Sequence, residues 1–237
     1  MMDDPLMADL EHIPSLEALN QVMINCNRCP RLVAWREEVA HVKRRAYRDW
    51  EYWGRPVPGF GDPEARLYIL GLAPAAHGGN RTGRSFTGDS SGDFLYRALY
   101  QAGFANQPTS ISREDGLMLR DAYIGASARC APPGNKPTRE ELINCRPYVM
   151  AELRLLKNLQ GIVALGAIAF ETVLATYRQM GNPIPRLKFG HGIWYQLSQG
   201  LPWVMGSYHP SQQNTQTGRL TPAMFESIWV QARGMLK

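Results

Sequence analysis

LYILGLAPAAHGGNRTGRSFTGDSSG, residues 67–92, decides the fold. A short apolar run bounded by Gly and Pro reads as a buried strand, Arg66 to Leu70. It opens into a long loop of glycine and small residues, and a helix follows from about Gly92 to Ala102. Open α/β sheets place ligands in loops leaving the carboxyl ends of their strands. This loop concentrates His77, Asn80, Arg81, Arg84, Phe86, Thr87 and Asp89 within a short length of chain. Loops are also polar and glycine-rich for backbone reasons alone, so the chemistry must be weighed residue by residue.

Working outward, three further apolar runs repeat the pattern: Asp121–Ala126, Gly161–Gly166 and Trp203–Pro210. Helical spacing fills the intervals, with a capping-box pattern at Thr138 and Glu141, a kink or restart expected at Pro147, a helix from Ala167 to about Arg178, and a closing helix from Thr221 to Leu236. Gly192–Leu197 reads as a short edge strand or hairpin arm. Strands alternating with helices predict an α/β fold, a three-layer α/β/α sandwich with a central, four-stranded, mainly parallel sheet. The 71–92, 127–137 and 209–220 loops then share one crevice.

Before this block, Ile13–Ile24 and Leu32 to about Tyr52 read as helices, and Gly54–Ala65 as a turn-rich connector. The expected organisation is one domain over residues 1–237, with residues 1–60 packed on it as an N-terminal helical segment. A chain of 237 residues is long enough for one substantial core. No apolar run spans a bilayer, and the acidic start MMDDPLMADLEH lacks a basic segment followed by an apolar stretch, so a cytoplasmic location is expected. Net charge is +5, which favours an anionic partner, nucleic acid first. Arg28, Arg31, Arg36, Lys43, Arg44, Arg45, Arg48 and Arg55 crowd the first quarter among Trp35, Tyr47, Trp50, Tyr52 and Trp53. That cluster reads equally as a nucleic-acid surface and as the solvated face of an amphipathic helix.

Cys26 and Cys29 form a C-x2-C pair, and Cys130 and Cys145 follow. Four thiols in a reducing compartment favour metal over disulfides, while spacing alone leaves zinc, an iron–sulfur cluster and no metal all open. The loop matches neither G-x-x-x-x-G-K-[ST] nor G-x-G-x-x-G, which demotes nucleotide-triphosphate and dinucleotide enzymes. Phe86 in a polar loop reads as core anchor or stacking platform, and Asp89 as helix cap or carboxylate of a site. His209, just past a strand and held by Pro210, reads as a structural histidine or a donor to an anionic leaving group. Asn135 and Lys136 leave the second strand at the same edge.

Taken together, GLAPAAHGGNRTGRSFTGD, RCAPPGNKPT, HPSQQNTQTGRLT and the four-cysteine framework resemble the family 5, or type b, uracil-DNA glycosylases. The resemblance runs from about Cys26 to the C-terminal helix. It implies a four-stranded α/β/α fold, a [4Fe–4S] cluster on Cys26, Cys29, Cys130 and Cys145, and excision of uracil and other deaminated bases from DNA. By the same resemblance Phe86 stacks on the flipped base, Ala73 and His209 line the base site, and Asp89, Asn135 and His209 carry catalysis. Related families place Asp or Asn shortly after the first motif's glycine, where this chain has Leu72 and Ala73, a loss that the type b enzymes share. Ser211, Gln212, Gln213, Asn214 and Arg219 are expected on DNA, with one of the three amide side chains filling the gap left by the flipped nucleotide. The expected protein is a monomeric, monofunctional repair enzyme acting on uracil-containing DNA without a membrane contact; no segment assigns a sliding-clamp contact. The rival readings are an iron–sulfur electron-transfer protein and a non-catalytic zinc module that binds DNA.

Overall fold

The computed structural model describes residues 5–198 and 200–237; the first four residues of the acidic start lie outside them. Among the described residues, the strands are β1 (Phe60–Gly61), β2 (Leu67–Gly71), β3 (Ala122–Ala126), β4 (Gly161–Leu165), β5 (Trp194–Gln196) and β6 (Trp203–Ser207). The helices are α1 (Pro5–Glu11), α2 (Leu16–Met23), α3 (Pro30–Val42), α4 (Gly79–Thr82), α5 (Ser90–Gln101), α6 (Arg139–Leu155), α7 (Ala167–Gln179), α8 (Gln212–Gln216) and α9 (Pro222–Met235).

The sheet order is β1-β3-β2-β4-β6-β5. Its four inner strands are parallel, and every residue of each is buried. Strands covered on both faces need apolar side chains at every position, which is why these runs stand out in the sequence. Alternation then divides the core. Leu67, Ile69, Ile124, Val163 and Met205 pack with α5 and α9 on one face. Tyr68, Leu70, Ile162 and Val204 pack with α1, α2, α6 and α7 on the other. The α/β/α layering is therefore as expected.

The sheet has six strands rather than four. β1 and β5 add antiparallel edges to β3 and β6. β5 lies within the edge strand or hairpin arm expected at Gly192–Leu197, whereas β1, with two residues, is too short to carry a period and is made by backbone pairing with its neighbour. The basic helix is also shorter than expected. Lys43 takes a left-handed backbone (φ 55°) and ends α3 at Val42, and a 3-10 turn over Arg45–Tyr47 follows. In contrast, α6 runs through Pro147 without a break, and its capping box is complete: Glu141 N–H donates to Thr138 Oγ1 (3.2 Å) and Thr138 N–H to Glu141 Oε2 (2.7 Å).

Chain direction sets the site. From β2 the chain crosses to β3 on one side, then returns past β2 to β4 and on to β6. The crossovers diverge at the carboxyl ends of β2 and β4, the crevice where such sheets bind ligands.

Candidate active site

Both walls of that crevice carry a ring. Phe86 lies over the last residue of β2, so that a Cβ added to Gly71 would fall 2.9 Å from its Cζ. His209, beyond the end of β6, packs its Cβ beside Gly166 at the end of β4. The two rings face each other with centroids 5.8 Å apart and planes inclined at 32°. Phe86 holds a left-handed backbone, φ 54°, a conformation unusual for a bulky residue and tolerated where the surroundings enforce it.

The enforcement comes from the loop's own arginines. Arg84 is buried and donates to Thr87 Oγ1 (2.9 Å), Ser110 Oγ (2.9 Å) and Asp115 Oδ2 (2.7 Å). Burial works against the Asp115 charge, yet Arg84 and the Leu117 and Ile111 amides hold its carboxyl below the usual range. Arg81 donates from Nε to the His77 carbonyl (2.8 Å) and from Nη2 to the Gly88 carbonyl (2.9 Å), with the Tyr47 and Trp50 rings 4.0 and 4.1 Å from its guanidinium. Asn80 is fully buried and donates to the Arg36 carbonyl (3.1 Å). Much of the polar set that makes this loop resemble a ligand site is therefore internal scaffolding.

Asp89 serves as the N-cap of α5, its Oδ1 accepting from Gly92 N–H (2.9 Å). Its Oδ2 lies against Gly78, where an added Cβ would come within 1.9 Å of it. Burial raises the carboxyl above its ordinary range, against the Gly92 and Ser91 amides and the charge of Arg81. The cap bond fixes the direction of this carboxyl group at the start of α5. Burial pushes His209 down to about 4, so at neutral pH it is an uncharged imidazole. Its carbonyl accepts from Asn214 Nδ2 (2.9 Å).

The other expected residues fall outside this pair of rings. Ala73 is half-buried on the loop leaving β2. Asn135 is exposed, in a left-handed backbone (φ 56°) beyond β3; among the described residues no hydrogen bond or ring contact joins it to Phe86, Asp89 or His209. Ser211 caps α8, accepting from Asn214 N–H (3.4 Å). Gln212 and Gln213 are exposed, while Arg219 lies 4.7 Å over the Tyr208 ring.

Two histidines support the site: His77, which the sequence offers only as one polar group among several in the loop, and His191, which escapes sequence reasoning. His77 Nδ1 and Tyr52 Oη are 3.1 Å apart. His191 Nδ1 accepts from Tyr208 N–H (3.1 Å), which leaves Nε2 to donate to the Met224 carbonyl (3.2 Å). It thereby anchors the residue before His209 to α9. His77 lies in the long loop and His191 between two glycines, and neither has a local pattern that marks it.

The four cysteines come together from three segments. Cys26 and Cys29 lie between α2 and α3, Cys130 beyond β3 and Cys145 within α6; all four are free thiols. Cys29 and Cys130 share a buried cluster with Leu32, and Cys145 feels both electrostatically. Burial pushes Cys29 up, Cys130 up to about 11 and Cys145 up to about 12. Arg36 Nη1 donates to Cys130 Sγ (3.0 Å), and Asn144 Nδ2 to Cys29 Sγ (3.6 Å). This soft, sulfur-only donor set suits zinc or an iron–sulfur cluster. Among the described residues, no three His, Cys, Asp or Glu side chains are arranged around a single ion, and no helix is long and apolar enough to cross a membrane.

Comparison with known proteins bears on the family. The family described as "Uracil DNA glycosylase superfamily" matches residues 58–233. The Type-5 uracil-DNA glycosylase of Mycobacterium tuberculosis (strain CDC 1551 / Oshkosh) is 54% identical over 220 residues, 92% of this chain and 81% of that protein. The Type-5 uracil-DNA glycosylase of Thermus thermophilus is 52% identical over 219 residues, 92% of this chain and 96% of that protein. The Type-4 uracil-DNA glycosylase of Pyrobaculum aerophilum is 29% identical over 199 residues, 83% of each.

Proposed function

The chain belongs to the uracil-DNA glycosylase superfamily, and from that membership we propose that it is a type-5 uracil-DNA glycosylase, excising uracil from DNA by hydrolysis of the N-glycosidic bond. The observation that carries the reading is the pairing of the Phe86 and His209 rings at the mouths of β2 and β4, with Asp89 three residues past Phe86 capping α5. A base cannot be reached inside the duplex stack, so the nucleotide must swing out. Phe86 offers the flipped base an aromatic face, and the small turn at Ala73 lets the nucleotide pass close to the backbone.

As the bond from C1′ to the base nitrogen lengthens, its electron pair leaves with the base and positive charge grows on the sugar. Asp89, aimed by its cap bond, stabilises that charge and takes a proton from the water that adds to C1′. A neutral His209 donates a hydrogen bond to the departing base, which later takes up a proton. Asn135 orients water or base from the rim. No lysine stands out in the sequence as a Schiff-base nucleophile, so the expected product is an intact abasic site. Ser211, Gln212, Gln213, Asn214 and Arg219 meet the DNA backbone and groove. Because Asn214 Nδ2 already holds the His209 carbonyl, Gln212 and Gln213 are the better candidates to fill the gap.

Cys26, Cys29, Cys130 and Cys145 would hold a [4Fe–4S] cluster. Support comes from the sulfur-only donor set and the N–H donors at two sulfurs. Such a cluster supplies cross-linking and redox capacity, and the hydrolysis above draws on neither.

The test is incubation of iron-replete protein with uracil-containing duplex, followed by alkali cleavage. Abasic product is expected. Asp89→Asn keeps a good N-cap, so folding is retained, while turnover falls about 10²–10⁴-fold. No abasic product from the wild type overturns the assignment; near-normal turnover of Asp89→Asn overturns the role of Asp89.

A further inference from the structure

The basic, aromatic segment after α3 has no part in the chemistry above, yet its two sides are sorted. Its aromatic side turns inward: Tyr47 and Trp50 flank Arg81, Tyr52 Oη pairs with His77 Nδ1, and Trp53 N–H donates to the Arg81 carbonyl (2.9 Å). Its cationic side turns outward: Arg44, Arg45, Arg48 and Arg55 are exposed. Among the described residues, no carboxylate pairs with Arg44, Arg45 or Arg48.

A cleft of about 410 Å³ follows in the same segment, lined by Trp50, Trp53, Arg55 and Arg113 and also by Glu51 and Glu114, the latter 3.6 Å from Arg113. Arg113 lies 4.6 Å over the Trp53 ring. The opposite side of this platform is the base loop itself, since Arg81 fastens it to the carbonyls of His77 and Gly88, the residue before Asp89. The positive charge of Arg44 is felt at His77 within that loop.

We propose that Arg44, Arg45 and Arg48, with Arg55 and Arg113 at the cleft, form a second handhold on the phosphate backbone of duplex DNA flanking the flipped nucleotide, separate from the 211–219 segment. The inference rests on the glycosylase reading for the identity of its polyanion. The guanidinium groups of Arg44, Arg45 and Arg48, within five residues of chain and without a carboxylate partner among the described residues, are suited to successive phosphates, and each phosphate neutralised releases condensed counterions. A duplex seated there presses on the framework that positions Phe86 and Asp89.

The experiment measures affinity of the iron-replete protein for a uracil-free duplex against salt concentration. The triple variant Arg44→Gln/Arg45→Gln/Arg48→Gln is compared with the charge-matched control Lys157→Gln/Arg186→Gln/Lys188→Gln, which changes exposed residues elsewhere. The expected result is a slope of log K against log salt shallower by about 2–3 in the first variant, with affinity at 0.1 M salt down about tenfold or more. The control keeps the wild-type slope. Equal slopes for the two variants overturn the proposal. As a measurement free of substitutions, bound duplex should shield Arg44, Arg45 and Arg48 of the wild type from an arginine-modifying dicarbonyl, and equal labelling with and without DNA also overturns it. Uracil excision enters neither readout, so a wild type that binds with this slope and releases no uracil would defeat the glycosylase reading and leave the handhold standing.

Discussion

His209 illustrates what burial does to one side chain. Its place after a strand and before Pro210 is legible in the sequence, but its charge state is set by distant chain packed around it, Phe86 included. The folded value of about 4 lies below the ordinary histidine value of 6.5. The unfolded chain therefore binds the extra proton between those two limits. The sign follows: stability at His209 is intact above pH 6.5, is lost as pH falls toward 4, and changes no further below that. The ceiling on the loss is about 3 kcal/mol. Urea unfolding between pH 7 and pH 4 should show a smaller fall for His209→Gln than for the wild type. Parallel curves would show that His209 protonates as freely in the folded protein as in the unfolded one. His77 and His191 are also held low by burial, and since both remain in the variant, the difference isolates His209.

At the scale of elements, the loop from β2 to α5 acts as one piece, because Arg81 and Arg84 tie it internally and to its surroundings. Gly78 tests this without replacing a reacting group. A methyl there would overlap Asp89 Oδ2 at 1.9 Å, so Gly78→Ala should push the carboxylate off its line and cut turnover about 10²-fold. Single-turnover excision at saturating duplex reads it. A rate within a factor of a few of wild type would show that the carboxylate's position is immaterial. The same loop shows where sequence reading stops. Its strand, its glycine-rich exit and the capping role of Asp89 are local and readable. The burial of Arg84 is not, because its partners Ser110 and Asp115 arrive from beyond α5. Likewise, the inner strands announce themselves as apolar runs, whereas α3 gives way to the 3-10 turn because Tyr47 and Trp50 pack on Arg81, a tertiary contact that overrides helical spacing.

Across the whole molecule, a buried charge pair links the sheet to the cysteine-bearing helix. Arg129 follows β3, Glu152 lies on α6 seven residues past Cys145, and the two are in direct contact, with the Tyr68 hydroxyl of β2 donating to the same carboxylate. All three are buried. Removing one member of such a pair leaves the other charge unpaired, and Glu152→Gln should destabilise the protein by about 3–5 kcal/mol. Chemical denaturation measures it; a loss under 1 kcal/mol would mean that water or a neighbour takes over the Arg129 charge. This pair had no sequence signature, since Arg129 and Glu152 meet only once the third strand and the long helix are side by side.

The short antiparallel strands at the two ends of the sheet have a consequence for handling the protein in concentrated solution. Four buried parallel strands of five residues each would present adhesive margins to other molecules if either outer one ended the sheet. β1 covers β3 with two residues and β5 covers β6 with three, so the margins left open are too short to template another chain. The molecule thereby combines a strongly aggregation-prone centre with a rim that resists edge-to-edge assembly.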